Sequence, residues 1–266
     1  MSASVHLDLA GTAAWLTLDR PGRGNALVPE LLAALRSGVA EARAAGARAL
    51  VITGAGRAFS AGGDVTAFAA RASDTTALRI YAGEIVGELN AAILDLLAFP
   101  APVLAAVNGP VTGGSAGLML AADIVVMSEA AFLQPYYSEV GFAPDGGWTA
   151  LLPERIGSAR ALKAMYLNER LSAGDCLTLG LADHVCEPDQ LRAAAGEQLA
   201  TILDKDPASL AIARANVWSL VRRARIAAAL ERERDGFLSL IGRPETRERM
   251  QRFLAPAAKT AAEGVA

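Results

Sequence analysis

Two glycine-rich turns and one aspartate carry the residue types from which an anion-stabilising site can be made. Ala58-Phe59-Ser60-Ala61-Gly62-Gly63-Asp64 follows the apolar run Ala49-Leu50-Val51-Ile52-Thr53. Asn108-Gly109-Pro110-Val111-Thr112-Gly113-Gly114-Ser115-Ala116-Gly117 follows Val103-Leu104-Ala105-Ala106-Val107. Short β-rich runs that end in glycine read as buried strands opening into tight turns. Glycine there permits unusual φ values and close approach of a ligand or a second backbone. Two such turns side by side would aim N–H groups at one point, and fixed donors around a point stabilise a developing oxyanion. Spacing alone leaves open whether they converge, because either turn could be a plain turn.

The acidic candidate lies further on, in Phe132 to Trp148. This stretch holds five of the fourteen aromatic residues: Phe132, Tyr136, Tyr137, Phe142 and Trp148. It also holds Glu139 and Asp145. A carboxylate among aromatics can have a raised pKa and act as a base near neutral pH. On residue type alone the stronger reading of Asp145 is a helix cap, since Asp before Gly146-Gly147 and a helix is a common N-cap. Glu139 reads as an exposed loop residue.

The elements that must position these residues alternate between strand and helix. Val5, Leu7 and Leu9, a turn at Gly11-Thr12, and Ala14, Leu16 and Leu18 predict a hairpin. A loop over 20–25 leads to a helix from Pro29 to near Gly46, with Leu31, Leu32, Leu35 and Val39 on one face. Residues 75–98 predict a long helix, with Leu78, Ile85, Leu89 and Ile93 inward and Pro100 and Pro102 ending it. A helix near 114–122 and a strand at 124–127 follow. Strand–helix alternation indicates an α/β architecture. After residue 190 only helices are expected, near 189–204, 207–221, 223–240 and 245–254. Arg222, Arg223, Arg225, Arg232 and Arg234 interleave with apolar residues there, which suits solvated amphipathic helices or a face packed on another subunit. The expected division is a core over 1–190 and a helical oligomerisation region over 191–266.

Composition narrows the function classes. Apolar residues are 53% and charged residues 20% of a 266-residue chain, enough for a large core. A net charge of −3 argues against nucleic acid as the main partner and leaves room for an anionic ligand at a local basic cluster. Cys176 and Cys186 have no metal or redox spacing and read as reduced, half-buried thiols. His6 and His184 lie too far apart to nucleate a metal cluster or a serine triad. No metal is expected. The start lacks a signal-peptide pattern and no run is long enough to span a membrane, so a soluble cytoplasmic protein is expected. Neither a P-loop nor a dinucleotide fingerprint is present.

Taken together, the motifs resemble those of the enoyl-CoA hydratase/isomerase (crotonase) superfamily over nearly the whole chain. The matching residues are Arg20-Pro21 with Asn25-Ala26-Leu27, the turn 58–64, and Pro102-Val103 with Asn108-Gly109, Gly113-Gly114 and Asp123. Gly141 with Pro144-Asp145-Gly146-Gly147, and Leu171-Ser172-Ala173 with Gly180-Leu181, complete five signatures in family order. The resemblance implies a spiral of ββα units with a C-terminal helical trimerisation region, assembled as a trimer or a dimer of trimers. It implies an acyl-CoA thioester substrate, as in fatty acid metabolism, and no cofactor beyond the coenzyme A carried by the substrate. It puts the oxyanion hole at the N–H groups of Ala61 and Gly114. Arg23, Ala26 and Asp64 resemble a CoA-binding rim, and Gly63, Val65, Gly113, Tyr136 and Tyr137 are the accompanying substrate-site candidates.

The departures from the family pattern point to the reaction. Family hydratases use two glutamates, which would fall at Gly117 and at or beside Tyr136; neither position is acidic here. Asp145 matches the aspartate of several family isomerases, including a branch acting in phenylacetate breakdown. It also matches the nucleophile of aryl-CoA dehalogenases, but no histidine lies between residues 7 and 183 to support that chemistry. The expected function is therefore an acyl-CoA isomerase with Asp145 as acid/base. The alternatives are a hydratase of a substituted or aromatic acyl-CoA, using Asp145 with Glu139, and a catalytically silent scaffold.

Overall fold

The computed structural model describes residues 4–255. Met1–Ala3 and the closing 256–266 of the expected tail lie outside the described residues. The chain opens with the expected hairpin, β1 (Val5–Ala10) and β2 (Ala13–Leu18), paired antiparallel about Gly11-Thr12. Helix α1 (Pro29–Ala44) follows, with Pro29 in its first turn and Leu31, Leu32, Leu35 and Val39 buried as the periodicity predicts. Strand β3 (Ala49–Gly54) leads through the first glycine turn to the short α2 (Val65–Ala69) and then α3 (Thr75–Leu97). The Asp74 side chain accepts from the N–H groups of Thr76 and Ala77, which fixes the start of α3. Strand β4 (Val103–Val107) leads to β5 (Val111–Thr112), a 3-10 turn over Gly113–Ser115 and α4 (Ala116–Leu120). Then come β6 (Ile124–Ser128), β7 (Phe132–Gln134), α5 (Tyr137–Val140), α6 (Leu152–Ile156), α7 (Ser158–Tyr166), β8 (Leu171–Ser172), α8 (Ala173–Thr178) and β9 (His184–Cys186). The tail is α9 (Leu191–Leu203), α10 (Pro207–Val217), α11 (Leu220–Leu240) and α12 (Pro244–Leu254).

The strands wind as a spiral. The central sheet has the order β1-β2-β3-β4-β6-β9, parallel after the first pair. Each return from that sheet adds a short strand or bridge to a second layer. Leu27 bridges Gly63, Ser60 bridges Val111, and β5, β7 and β8 form a three-stranded sheet. Both glycine turns therefore sit where the chain passes from the first layer to the second.

The central strands are buried on both faces, which is why they read as continuous apolar runs. One face, with Leu16, Leu50, Ile52 and Ala105, meets α1 and α3 in the main core. The other, with Trp15, Val51, Leu104 and Val126, is covered by Leu191, Ala195 and Leu199 of α9. The seam expected at residue 190 thus does not separate two cores: α9 completes the sheet, and Ile226, Leu230 and Phe237 of α11 enter the main core.

Asp123 ties the tail down. Its carboxylate accepts from Val103 N–H at 2.8 Å, Arg214 Nε at 2.6 Å and Trp218 Nε1 at 2.8 Å. The buried Arg214 guanidinium also donates to the carbonyls of Leu96, Leu97 and Phe99, which close the end of α3. The tail arginines are only partly the solvated set expected from sequence. Arg222 and Arg225 both pair with Glu154 at 2.8 Å, and Arg234 donates to Gly83 O. Cys176 is fully buried, deeper than expected, and Cys186 is half-buried. Among the described residues no helix is long and apolar enough to cross a membrane.

Candidate active site

The two glycine turns converge. Ser60 N–H donates to Pro110 O, Thr112 N–H donates to Ser60 O, and the Ser115 hydroxyl donates to Ser60 O at 3.0 Å. The backbones touch closely enough that a Cβ at Gly62, whose φ is 74°, would lie 2.5 Å from Thr112 O. Two buried or half-buried asparagines hold the first turn from outside. Asn25 Nδ2 donates to Ala55, Ala58 and Phe59 carbonyls, and Asn108 Nδ2 donates to Gly56 and Ala58 carbonyls. Fixed donors need such support, since an oxyanion site works by being organised before the charge develops.

The donors themselves differ from the expectation in one respect. Ala61 N–H is engaged, donating to Gly24 O at 2.8 Å. The parallel bridge between Leu27 and Gly63 uses Gly62 O and Asp64 N–H, so it leaves the intervening Gly63 N–H out. Gly63 N–H and Gly114 N–H make no hydrogen bond with any described residue. Sequence reasoning named Ala61 and not Gly63 because the type pattern of the turn gives no information on which N–H the neighbouring loop consumes.

Both glycines line a cavity of about 250 Å³. Its walls include Val65, Phe68, Ile85, Leu89, Phe142 and Phe237, and it also touches Ala61, Gly113, Tyr136, Tyr137 and Phe253. Three phenylalanines, Phe68, Phe142 and Phe237, pack mutually with ring centroids 4.9–5.8 Å apart. Arg23, Ala26 and Asp64 stand outside the cavity. Arg23 is on the surface and Ala26 is buried. Asp64 caps α2 through Ala67 N–H and pairs with Arg20 at 2.8 Å. Burial pushes the Asp64 carboxyl up, but Arg20 and the cap outweigh it and hold it below the usual carboxylate range.

Asp145 is the carboxylate that reaches the cavity. It does not cap a helix: turns cover 146–150, α6 begins at Leu152, and no backbone N–H beyond its own residue reaches the carboxylate. Its exposed part faces the cavity. Its position is set against the second glycine turn, since a Cβ at Gly114 would lie 2.6 Å from Asp145 Oδ2. Desolvation first, and then the negative charge of Glu233, push its pKa up to about 7. A carboxylate poised there can exchange protons near neutral pH.

Residues flanking the aspartate lock the two halves together. Trp148, fully buried, donates Nε1–H to Gly113 O at 2.8 Å. Glu233, on α11, is 4% exposed and accepts from Gly147 N–H, Thr149 N–H, Thr149 hydroxyl and Ala150 N–H at 2.6–3.0 Å. Sequence reasoning missed Glu233. Within Glu231-Arg232-Glu233-Arg234 it carries no signal that separates it from a solvated helical charge.

Of the two positions where a second carboxylate would fall, Gly117 is closed and Tyr136 carries a phenol at the cavity wall. A Cβ at Gly117 would run into Ile93 and the carbonyl of Gly146. Tyr136 is in the left-handed region at φ 56°, held by Asn168 Oδ1 on its N–H at 2.9 Å. Its ring packs edge-on against Phe253 of α12. Glu139 is exposed on α5 and does not line the cavity. Burial pushes the Tyr137 phenol up to about 12, so it stays protonated. Among the described residues no group of three His, Cys, Asp or Glu could hold a metal.

The chain matches the family model described as enoyl-CoA hydratase/isomerase over residues 9–258. It is 35% identical over 179 residues to a probable enoyl-CoA hydratase of Rhodobacter capsulatus, covering 67% of this chain and 66% of that relative. It is 36% identical over 194 residues to the 1,2-epoxyphenylacetyl-CoA isomerase of Escherichia coli, covering 72% of each. A crystal structure of an enoyl-CoA hydratase/isomerase from Mycobacterium paratuberculosis superposes with a TM-score of 0.84 at 28% identity, over 95% of this chain and 99% of that one.

Proposed function

The chain belongs to the enoyl-CoA hydratase/isomerase family, and within it we propose that this member is an acyl-CoA isomerase acting through a thioester enolate. The thioester carbonyl sits between Gly63 N–H and Gly114 N–H. Asp145 takes the α-proton, the carbonyl oxygen gains the negative charge, and the two donors stabilise it. The β,γ double bond moves to α,β as the proton returns from Asp145 to the γ-carbon. The proton taken equals the proton returned, so one carboxyl group suffices. The acyl chain lies among Phe68, Phe142 and Phe237, and the coenzyme A moiety crosses the rim near Arg23, Ala26 and Asp64.

The observation that carries this reading is that Asp145 is the single carboxylate among the described residues that line the cavity, together with the lack of room for a side chain at Gly117. Positioning and activating water for hydration in this family calls on two carboxylates. The hydratase name of one relative supports the second reading, addition of water to an enoyl-CoA by Asp145. A third is a silent scaffold. Mass spectrometry and chromatography of 3-enoyl-CoA and 2-enoyl-CoA after incubation with the protein separate them. An isomer of unchanged mass from the 3-enoyl substrate is expected. Gain of one water from the 2-enoyl substrate, with no isomer formed, would make it a hydratase, and no product from either would make it a scaffold.

We also propose a homo-oligomer, a trimer or dimer of trimers. Ile212, Val217, Leu220 and Val221 are 54–82% exposed around the α10–α11 junction, an apolar surface that another copy can cover. Light scattering that gives the mass of a single chain at micromolar concentration would contradict this.

A further inference from the structure

We propose that Glu233 is a positioning residue for Asp145: it clamps the turn that carries the base and keeps a negative charge behind it. The inference rests on the reading of Asp145 as the base. Glu233 lies 88 residues further along the chain, on α11, whose Ile226, Leu230 and Phe237 enter the main core. Its carboxylate accepts four hydrogen bonds from residues 147–150. Three of the donors are backbone N–H groups of the turns that run from Asp145 to α6. One side chain therefore stands in for the cap that the Asp145-Gly146-Gly147 sequence suggests, and it leaves the Asp145 carboxylate free of capping duty.

The charge has a second effect. Among the described residues Glu233 is the one charged side chain whose field bears on Asp145, and that field adds to desolvation in favouring the protonated acid. The Tyr137 phenol, which burial pushes up to about 12, stays neutral. The neighbouring cations turn elsewhere: Arg232 donates to Ala228 O, and Arg234 to Gly83 O and Glu231. A thioester α-proton is weakly acidic, so a base of higher proton affinity lowers the uphill step. An anchor that only held the turn would leave that affinity unchanged.

The experiment is the pH dependence of α-proton exchange of a saturated acyl-CoA in D₂O, read by mass spectrometry on the full-length protein. In Glu233→Gln the inflection is expected to fall by about one pH unit, tenfold in proton affinity, with a lower plateau from the loosened turn. Thr149→Val keeps the charge and removes one donor that compensates it, so its inflection is expected to rise by a few tenths of a unit. An unmoved inflection in folded Glu233→Gln overturns the proposal. If that variant does not fold, an unmoved or lowered inflection in Thr149→Val overturns it. Undiminished exchange in Asp145→Asn would instead overturn the base assignment on which it rests.

Discussion

The two halves of the site are built by opposite strategies. The proposed oxyanion side is all backbone, made where two parallel strands end in glycine turns that touch each other. The proposed base, Asp145, is a side chain on a loop with no regular structure, steadied by Trp148 and by a carboxylate from α11. Backbone donors are fixed by the same hydrogen bonds that fix the fold. A loop-borne carboxylate must be fixed by groups recruited from elsewhere, and its proton affinity depends on them. The first half should therefore resist side-chain change and yield only to backbone change, whereas the second should be sensitive to single atoms.

The largest effect is expected on the base side. Asp145→Asn preserves size and removes proton transfer, so isomerase turnover should fall by about 10²–10⁴-fold in steady-state assays. On the oxyanion side, Gly63→Pro removes the N–H and should cost about 10²–10³-fold in kcat. Gly63→Ala keeps the N–H, and its Cβ meets Phe68 at 3.2 Å, so kcat should stay within a few fold. Equal losses in the two variants would mean that packing, and not the donor, matters there.

These contrasts follow what the sequence made legible. The glycine turns were readable because a strand that ends in a tight turn leaves an apolar run followed by glycine. The first hairpin, β3, β4, β6, α1, α3 and the four tail helices were readable from period and from Pro boundaries, whereas the short second-layer strands β5, β7 and β8 are too brief to show a period. Three further things were not. That Gly63 N–H and not Ala61 N–H is left open depends on Gly24 O consuming Ala61 N–H, a contact 37 residues apart in the chain. On residue type alone Asp145 reads as a cap, and only the family resemblance moved it to acid/base, because local sequence cannot reveal that Glu233 satisfies the turn. The tail looked separable at residue 190 because the sheet face that α9 covers is itself an unbroken apolar strand pattern, with no mark of what covers it.

A smaller effect sharpens the electrostatic side. The Asp145 pKa is raised from 3.8 to about 7 in the folded chain, so folding favours the protonated form. That contribution is fully present below the unfolded value and is lost as pH rises through about 7. Asp145→Asn should accordingly match the parent in Tm near pH 4 and exceed it at pH 8. A parent that gains on the variant as pH rises would contradict the raised value. The smallest effect is expected at Glu139, which is exposed and outside the cavity. Glu139→Gln should leave kcat/KM within about twofold, as surface substitutions remote from a site do. A large loss would revive a two-carboxylate hydratase.

The central claim is that Asp145 abstracts the α-proton of a thioester whose carbonyl is held by the two glycine turns. Deuterium uptake at the α-carbon of a saturated acyl-CoA in D₂O isolates that step from double-bond movement and from hydration. The parent protein should catalyse uptake with a rate that rises through about pH 7, following ionisation of Asp145. Folded Asp145→Asn should catalyse none above background. Uptake by Asp145→Asn at the parent rate would contradict the account.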